Sequence, residues 1–218
     1  MTLVKICGVN DAAGFDAAVT AGADLLGFVF HAASPRAVTP DAAAALSARH
    51  PGGPLRVGLF VDAGDAAIAA VLAALPLDLL QVHGAESPAR CAALRARFGL
   101  PVMKAIGVAT AADLDRFADY ASVVDRFLLD AKPAPGAALP GGNASAFDWS
   151  LLRGASVPKP WLLAGGLTPD NVAEAIRITV APGVDVSSGV ERSRGVKDPV
   201  RIAAFVAAAR LPRAGVRG

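Results

Sequence analysis

The stretch LVKICGVND (residues 3–11) decides between the two parallel α/β folds that the rest of the chain allows. Its apolar first half predicts a strand, and the turn that follows Cys7 begins at Gly8. An open doubly wound sheet carries a glycine-rich phosphate fingerprint in the turn after its first strand. Gly8 is the single glycine of this turn, so the stretch favours a closed barrel over an open sheet.

Similar apolar runs recur along the whole chain, and a longer alanine-rich segment of helical character follows each of them. The eight runs are LVKI (3–6), DLLGFVF (24–30), LRVGLFV (55–61), LDLLQV (77–82), PVMKAI (101–106), SVVDRFLL (122–129), PWLLA (160–164) and VDVS (184–187). Several are continuously apolar, as strands buried on both faces are. The pattern predicts a single-domain (β/α)8 TIM barrel over residues 1–210, with a frayed tail at 211–218.

Helix starts and strand entries repeat in the same way. Thr39-Pro40, Ser87-Pro88, Thr168-Pro169 and Asp198-Pro199 each place a capping oxygen before a proline at the first helical position. Two strands are entered by Gly-x-Asp, in Gly22-Ala23-Asp24 and Gly183-Val184-Asp185. A glycine at such a place can adopt the left-handed conformation that ends a helix.

Composition narrows the class of protein. A hydrophobic fraction of 54% over 218 residues excludes a disordered chain, and a net charge of +2 without a basic block indicates no nucleic-acid partner. The two cysteines form no disulfide framework, the apolar run 66–75 is too short to span a membrane, and the start of the chain does not resemble a signal peptide. We therefore expect a cytoplasmic protein without a membrane partner.

The active site of such a barrel lies at the carboxyl ends of its strands. Cys7 ends strand one and Asp130 ends strand six, so the two can face each other across a substrate. A thiolate as base and a carboxylic acid as proton donor suit an isomerisation of a sugar. The alternative for Cys7 is a small buried hydrophobe, and Cys91, in a helical segment, is interpreted as structural.

Three further polar residues fall near this rim. Arg36, on the loop after strand two, can bind a carboxylate in a bidentate manner, or it is a surface arginine. His83, just after strand four, is interpreted as a residue of the pocket wall and a hydrogen-bond donor. Asp185, in strand eight, orients a substrate hydroxyl or another side chain, or else is a turn residue at the strand entry.

Glycine-rich turns follow the last two strands, where barrels often bind phosphate. They are Gly165-Gly166 and Ser187-Ser188-Gly189, and Gly141-Gly142-Asn143 can add a third wall. The alternative is that these are tight turns without a ligand. The sequence thus predicts a phosphorylated small-molecule substrate. It offers no second histidine or carboxylate at metal-ligand spacing to its histidines, so we expect neither a metal nor a cofactor.

The motifs together resemble the phosphoribosylanthranilate isomerase family of tryptophan biosynthesis. The matching stretches are VKICGVND, ADLLGFVFHAASPRAVTP, VGLFVD, LDLLQVHGAE, FLLDAK, GGNASAFDWSLL, PWLLAGGLTPDNVAEAI and GVDVSSGVERSRGVKDP, which run from residue 4 to residue 199. The resemblance implies a cofactor-independent Amadori rearrangement of N-(5'-phosphoribosyl)anthranilate. It implies that Asp130 protonates the ring oxygen, that Cys7 removes the C2 proton, and that Arg36 binds the anthranilate carboxylate.

Two other functions stay open on the sequence. One is a related sugar-phosphate isomerase acting on the histidine-pathway aminoaldose, for which a carboxylate is expected in place of Cys7. The other is a barrel that binds a phosphorylated metabolite without converting it. The sequence leaves the oligomeric state as monomer or homodimer.

Overall fold

The computed structural model describes residues 1–132 and 147–211, and within them eight parallel strands form a closed barrel. The strands are β1 (Leu3–Cys7), β2 (Leu25–Val29), β3 (Leu55–Phe60), β4 (Leu79–Val82), β5 (Val102–Val108), β6 (Arg126–Ala131), β7 (Trp161–Leu163) and β8 (Gly183–Val186). Each strand pairs with its neighbours in chain order, and β8 closes the ring on β1 in a register that places Asp185 beside Lys5. The predicted (β/α)8 barrel is confirmed.

Helices connect most of the strands. They are α1 (Ala12–Thr20), α2 (Pro40–Ser47), α3 (Asp65–Ala74), α4 (Pro88–Phe98), α5 (Phe117–Tyr120), α6 (Val172–Thr179) and α7 (Pro199–Ala209). Short 3-10 helices cover Ala111–Arg116, Trp149–Leu152 and Ser188–Val190, and a small hairpin, β9 (Glu191–Ser193) and β10 (Val196–Lys197), precedes α7. Among the described residues between β6 and β7, Trp149–Leu152 is the helical element.

Three of the four predicted helix starts are confirmed. Thr39, Ser87 and Asp198 accept hydrogen bonds from backbone amides in the first turns of α2, α4 and α7. The prediction at Thr168-Pro169 is wrong, because α6 begins at Val172. The Asn171 side chain accepts a hydrogen bond from the Thr168 amide and donates one to the Gly166 carbonyl, which holds these residues in a turn.

The predicted start of strand six is also wrong. β6 begins at Arg126, four residues after the run SVVDRFLL begins. The amides of Val123 and Val124 both bond to the Tyr120 carbonyl, so these apolar residues continue the turn after α5. A short apolar run cannot by itself distinguish a strand from a buried turn.

Aspartates before three even-numbered strands tie neighbouring strands together at the amino end of the barrel. Asp24, Asp78 and Asp125 each accept a hydrogen bond from a backbone amide near the start of the preceding odd-numbered strand, at 2.7, 2.7 and 2.9 Å. Asp185 does not belong to this group, because Gly183 is the first residue of β8 and Asp185 lies inside the strand. The parallel between the two Gly-x-Asp entries is therefore wrong, and so is the interpretation of Asp185 as a turn residue.

Apolar side chains fill the barrel at both ends of the strands. A cluster that includes Leu25, Val57, Met103 and Leu128 occupies the amino-terminal part, and a smaller cluster of Cys7, Val29 and Leu59 lies near the rim. The larger remaining cluster packs the strands against the helices. Alternation along the strands places the buried polar residues Lys5, Gln81 and Asp185 between the two inner clusters.

Two predictions concern membrane spans and the end of the chain. Among residues 1–132 and 147–211, no helix combines the length and apolar character needed to cross a membrane. The frayed tail lies almost wholly outside the described residues, as does most of the long stretch after β6.

Candidate functional site

Cys7 lies at the carboxyl end of β1 and is 4% exposed. The next residue, Gly8, has a left-handed backbone conformation with φ of +73°. A Cβ atom on Gly8 would lie 2.6 Å from Arg36 Cδ, so this glycine turns the chain and makes room for Arg36. The turn at Gly8 thus affects two side chains of the site, those of Cys7 and Arg36.

Lys5 and Asp185 form an ion pair beneath Cys7. Lys5 Nζ donates a hydrogen bond to Asp185 Oδ1 at 2.8 Å, and both side chains are buried. Lys5 and Cys7 are two residues apart on one strand, so they face the barrel interior together. Lys5 was not among the predicted site residues. The sequence did contain a signal for it, because Lys5 is a single cation within an apolar strand and lies two positions before Cys7.

Burial raises the pKa of the Cys7 thiol, because the thiolate is poorly solvated there. The positive charge of Lys5 opposes this rise, the negative charge of Asp185 adds to it, and Lys197 opposes it more weakly. The pKa of Lys5 is raised, because the charges of Asp185 and Cys7 more than offset the effect of burial. Lys5 therefore stays an ammonium group at neutral pH.

Asp130, at the end of β6, is oriented by a backbone hydrogen bond and by a close contact with His83. Its Oδ1 accepts one from the Ala131 amide at 2.8 Å, and its Oδ2 lies 3.2 Å from His83 Nε2. On the other side of the ring, His83 Nδ1 lies 3.1 Å from Gln81 Nε2. With the Gln81 amide as donor to Nδ1, the neutral ring carries its proton on Nε2, facing Asp130. His83 thus lies beside the predicted acid, and Gln81 was missed by the sequence analysis.

Arg36 is 4% exposed, so the interpretation as a surface arginine is wrong. Its Nε and Nη2 donate hydrogen bonds to the two carboxylate oxygens of Glu191, at 2.6 and 3.1 Å. This planar, two-bond contact fixes the plane of the guanidinium group. The bidentate carboxylate contact predicted for a substrate is formed here with a residue of the chain itself.

Glu191 also connects Arg36 to the loop after β8. It accepts hydrogen bonds from Lys197 Nζ at 2.9 Å and from the Gly195 amide at 3.0 Å. Lys197 Nζ in turn donates to the carbonyl oxygen of Ser187 at 3.0 Å and lies 3.3 Å from its hydroxyl oxygen. Sequence reasoning missed Glu191 and Lys197, although both lie in the quoted motif GVERSRGVKDP.

The two predicted phosphate loops lie against each other. Gly165 and Gly166 both have left-handed backbones, with φ of +82° and +64°. A Cβ atom on Gly189 would lie 1.8 Å from the Leu167 carbonyl oxygen, so the turn after β8 packs directly on the turn after β7. Gly165, Gly166 and the segment Ser187-Ser188-Gly189 remain partly exposed. Gly142, the third predicted wall, lies outside the described residues.

The second cysteine belongs to another part of the fold. Cys91 is fully buried on α4, in the layer between strands and helices, which agrees with its interpretation as a structural residue of a helical segment. Near it Lys104 Nζ bonds to Glu86 Oε2 at 2.8 Å and to the Gly84 carbonyl at 2.7 Å. Together with the bond from Tyr120 to the Glu86 carbonyl, these contacts hold the loop that carries His83.

Apart from Asp185, which pairs with Lys5 inside the barrel, the predicted residues that the structure describes lie at one rim, at the carboxyl ends of the strands. This rim combines a thiol beside an ammonium, a carboxyl group beside an imidazole, a buried guanidinium and two glycine-containing turns. Such a set can move protons on a substrate that carries negative charge at two places. Within the described part of the chain, no group of three or more His, Cys, Asp or Glu residues could hold a metal ion.

Comparisons with known proteins agree on one family. Residues 4–208 match the family model PRAI, described as N-(5'phosphoribosyl)anthranilate (PRA) isomerase. The chain is 63% identical over 209 residues to N-(5'-phosphoribosyl)anthranilate isomerase of Paracoccus denitrificans (strain Pd 1222), covering 96% of the chain and 97% of that relative. It is 36% identical to the crystal structure of phosphoribosyl anthranilate isomerase from Thermotoga maritima, with a TM-score of 0.86 and coverage of 96% and 99%.

A further solved structure contains a bound small molecule. It is phosphoribosyl anthranilate isomerase in complex with reduced 1-(o-carboxyphenylamino)-1-deoxyribulose 5-phosphate, 35% identical to this chain. The match has a TM-score of 0.82 and covers 96% of this chain and 99% of the other.

Proposed function

The chain belongs to the N-(5'-phosphoribosyl)anthranilate isomerase family, and we propose that it catalyses the family's reaction with Cys7 as base and Asp130 as acid. The reaction is an aldose–ketose isomerisation, an Amadori rearrangement, in tryptophan biosynthesis. It converts N-(5'-phosphoribosyl)anthranilate into 1-(2-carboxyphenylamino)-1-deoxyribulose 5-phosphate. The bound molecule of the related complex supports a phosphorylated small-molecule substrate here. Family membership also favours this substrate over the histidine-pathway aminoaldose.

Asp130 starts the reaction by protonating the ring oxygen of the ribose. The C1–O bond breaks, and the nitrogen lone pair forms the C1=N bond of a protonated Schiff base. A carboxylic acid keeps acceptor capacity besides its O–H, so Asp130 can hold the His83 contact while its proton faces the substrate. The hydrogen bond from Ala131 and the close contact with His83 support this role because they orient the carboxyl group before the substrate arrives.

Cys7 completes the isomerisation as a thiolate. It removes the C2 proton, and the electrons of the C2–H bond form a C1=C2 double bond while the C=N electrons return to nitrogen. The resulting enol gives the ketone when its hydroxyl loses a proton and C1 gains one. Asp130 has then lost one proton and Cys7 has gained one, so a net transfer from thiol to carboxylate resets the site.

Arg36 binds the anthranilate carboxylate in this proposal. The cluster of Arg36, Lys197 and Glu191 carries two positive charges and one negative charge, so it keeps a net attraction for an anion. Because Glu191 fixes the guanidinium plane, the substrate meets an arginine that is already oriented.

The turns after β7 and β8 bind the phosphate. Their glycines let backbone amides approach an anion closely, and contact between Gly189 and Leu167 joins the two turns into one surface. Lys197 brings a positive charge to Ser187 within this surface. Asp185 is turned toward Lys5, which supports the prediction that it orients another side chain.

The proposed catalytic roles rest on the side chains found at the carboxyl ends of β1 and β6. One presents a thiol beside an ammonium, and the other presents a carboxyl group held by an imidazole. The test is the loss of substrate fluorescence on conversion, measured for wild type, Cys7→Ala and Asp130→Asn. Each substitution should reduce kcat by about 10²-fold or more.

Cys91→Ala is the matched control, because it removes the other buried cysteine, which lies on α4 outside the strands of the barrel. It should convert substrate at nearly the wild-type rate. Wild-type activity in Cys7→Ala or Asp130→Asn would overturn the role assigned to that residue and leave the family assignment in place.

We also propose that the protein works in the cytoplasm, as a monomer or a homodimer, with no nucleic-acid or membrane partner. The scarcity of cysteines supports the cytoplasmic location, and the small net charge supports the lack of a nucleic-acid partner. Light scattering on the purified protein at several concentrations gives the oligomeric state, and a mass above that of a dimer would contradict the proposal.

A further inference from the structure

The ion pair of Lys5 and Asp185 lies inside the barrel, one alternation below Cys7 on β1. Lys5 is fully buried, and a buried cation is costly unless it is paired. Asp185 Oδ1, at 2.8 Å, provides the pairing charge. The pairing offsets the cost of burying each charge. Apolar side chains would fill the same place without that cost, so stability alone does not explain the pair.

Gly27, on β2, shows how close Lys5 comes to the sulfur of Cys7. A Cβ atom on Gly27 would lie 2.9 Å from Cys7 Sγ and 3.1 Å from Lys5 Nζ. Cys7 Sγ and Lys5 Nζ therefore border the same small space beside Gly27, and the two atoms are no more than about 6 Å apart. Opposite charges at this distance interact strongly. Any side chain in place of Gly27 would fill this space.

We propose that Lys5 is the positioning residue of the Cys7 thiolate: its ammonium group, anchored by Asp185, lies beneath the sulfur and stabilises the negative charge of the base. The inference rests on the proposed function, in which Cys7 removes the C2 proton. Lys5 acts through Cys7 and touches no reacting atom, so its effect is on how much thiolate the site contains.

The charges around Cys7 come from three elements. Lys5 on β1 lowers the pKa of Cys7 more than any other charge does, Asp185 on β8 raises it, and Lys197 on β10 lowers it. Lys197 is the competing candidate, but its ammonium group already bonds to Glu191 and to Ser187. Lys5 is thus the principal cation that offsets the burial of the thiolate.

The experiment titrates the Cys7 thiolate by its absorbance near 240 nm. All variants carry Cys91→Ala, which removes the second thiol, and a Cys7→Ser protein supplies the blank. Lys5→Met removes the charge and keeps a side chain of similar length. The titration midpoint of Cys7 should rise by about one to three pH units. The acidic limb of the kcat/KM profile should move in the same direction.

Lys104→Met is the matched control. Lys104 is as deeply buried as Lys5 and forms an ion pair of the same 2.8 Å length, with Glu86, but it lies in the layer between strands and helices. It should leave the titration of Cys7 unchanged. A loss of activity in Lys5→Met without displacement of either midpoint would indicate a structural role and overturn the inference.

Lys5→Met leaves Asp185 buried without its partner, which can prevent folding. In that case the double variant Lys5→Met/Asp185→Asn is titrated instead, because it removes both charges and leaves none unpaired. Its Cys7 midpoint should still lie above that of wild type, by less than in the single variant, and a wild-type midpoint would overturn the inference. The titration is independent of turnover, so it distinguishes this inference from the role of Cys7 as base, which Cys7→Ala tests.

Discussion

The guanidinium group of Arg36 and the carboxylate of Glu191, 155 residues apart in the chain, form a buried two-bond ion pair. The pair joins the loop after β2 to the hairpin that precedes α7. Because Lys197 shares the same carboxylate, the loops after β2 and β8 are held in one relative position. The substrate contacts proposed for Arg36 and for the phosphate turns therefore depend on one glutamate.

Glu191→Gln should raise KM for the substrate by about tenfold or more and change kcat less, because Arg36 loses a charge-assisted partner that orients it. Steady-state kinetics measure both constants. Glu174→Gln is the control, since Glu174 makes a similar two-bond pair with Arg177 on the exposed face of α6. An unchanged KM in Glu191→Gln would show that Arg36 needs no such support.

Gly8→Ala tests the close approach of the β1 turn to Arg36. The new Cβ would lie 2.6 Å from Arg36 Cδ, so the arginine must move, and kcat/KM should fall by about 10- to 100-fold. Gly99→Ala is the comparison, because Gly99 also has a left-handed backbone, with φ of +66°, but faces open space. Both variants should lose similar stability from backbone strain. Equal kcat/KM values in the two would contradict the prediction.

Asp113→Asn should destabilise the protein in a pH-dependent way. A hydrogen bond from Lys132 lowers the pKa of Asp113 far below its ordinary value; burial opposes this, and bonds from Ala109 and Thr110 reinforce it. A lowered native pKa contributes stability above the unfolded pKa, near 3.9, and this contribution is lost as the pH falls toward the native pKa. The cost should be about 1–3 kcal/mol at pH 7.

Urea unfolding at several pH values measures this cost. The difference from wild type should shrink as the pH falls below about 4, where the unfolded carboxyl group binds a proton. Asp170→Asn, which changes an exposed aspartate in the turn before α6, should cost little at any pH. A difference that is constant with pH would mean that the charge of Asp113 is not responsible.

Val180→Gly should stabilise the protein by about 1 kcal/mol, because Val180 ends α6 in the left-handed conformation, with φ of +54°. The residue is 62% exposed and contributes little to the core. Val200→Gly is the control: Val200 is also exposed, but lies in α7, where glycine should cost about 0.5 kcal/mol. Midpoints of urea unfolding that move in the same direction for both would contradict this account.

The fold could be predicted because burial on both faces leaves a direct trace in the sequence. Runs such as Leu25–Val29 are continuously apolar, and helix starts such as Ser87-Pro88 carry their own capping oxygen. The errors lie where local signals are ambiguous. Val123 and Val124 are apolar but continue a turn, and Thr168-Pro169 begins a turn that Asn171 closes before α6 starts.

The candidate site was predicted in part, for a related reason. Strand ends of a parallel barrel meet at one rim, so position in the chain was enough to select Cys7, Asp130 and Arg36. It did not select Lys5, Glu191 or Lys197, which form ion pairs with other side chains of the site. The two Gly-x-Asp segments show the limit most clearly, since Asp24 binds a strand end and Asp185 binds Lys5 inside the barrel.

The sequence by itself determined the barrel, the order of its strands and the end at which polar residues gather, because these follow from periodicity and local capping. Only the tertiary structure decided which polar side chains meet: Lys5 with Asp185, Arg36 with Glu191 and His83 with Asp130. The register between β1 and β8 and the packing of loops bring these groups together. Charge interactions depend on distance and burial, and neither quantity is contained in the spacing of residues along the chain.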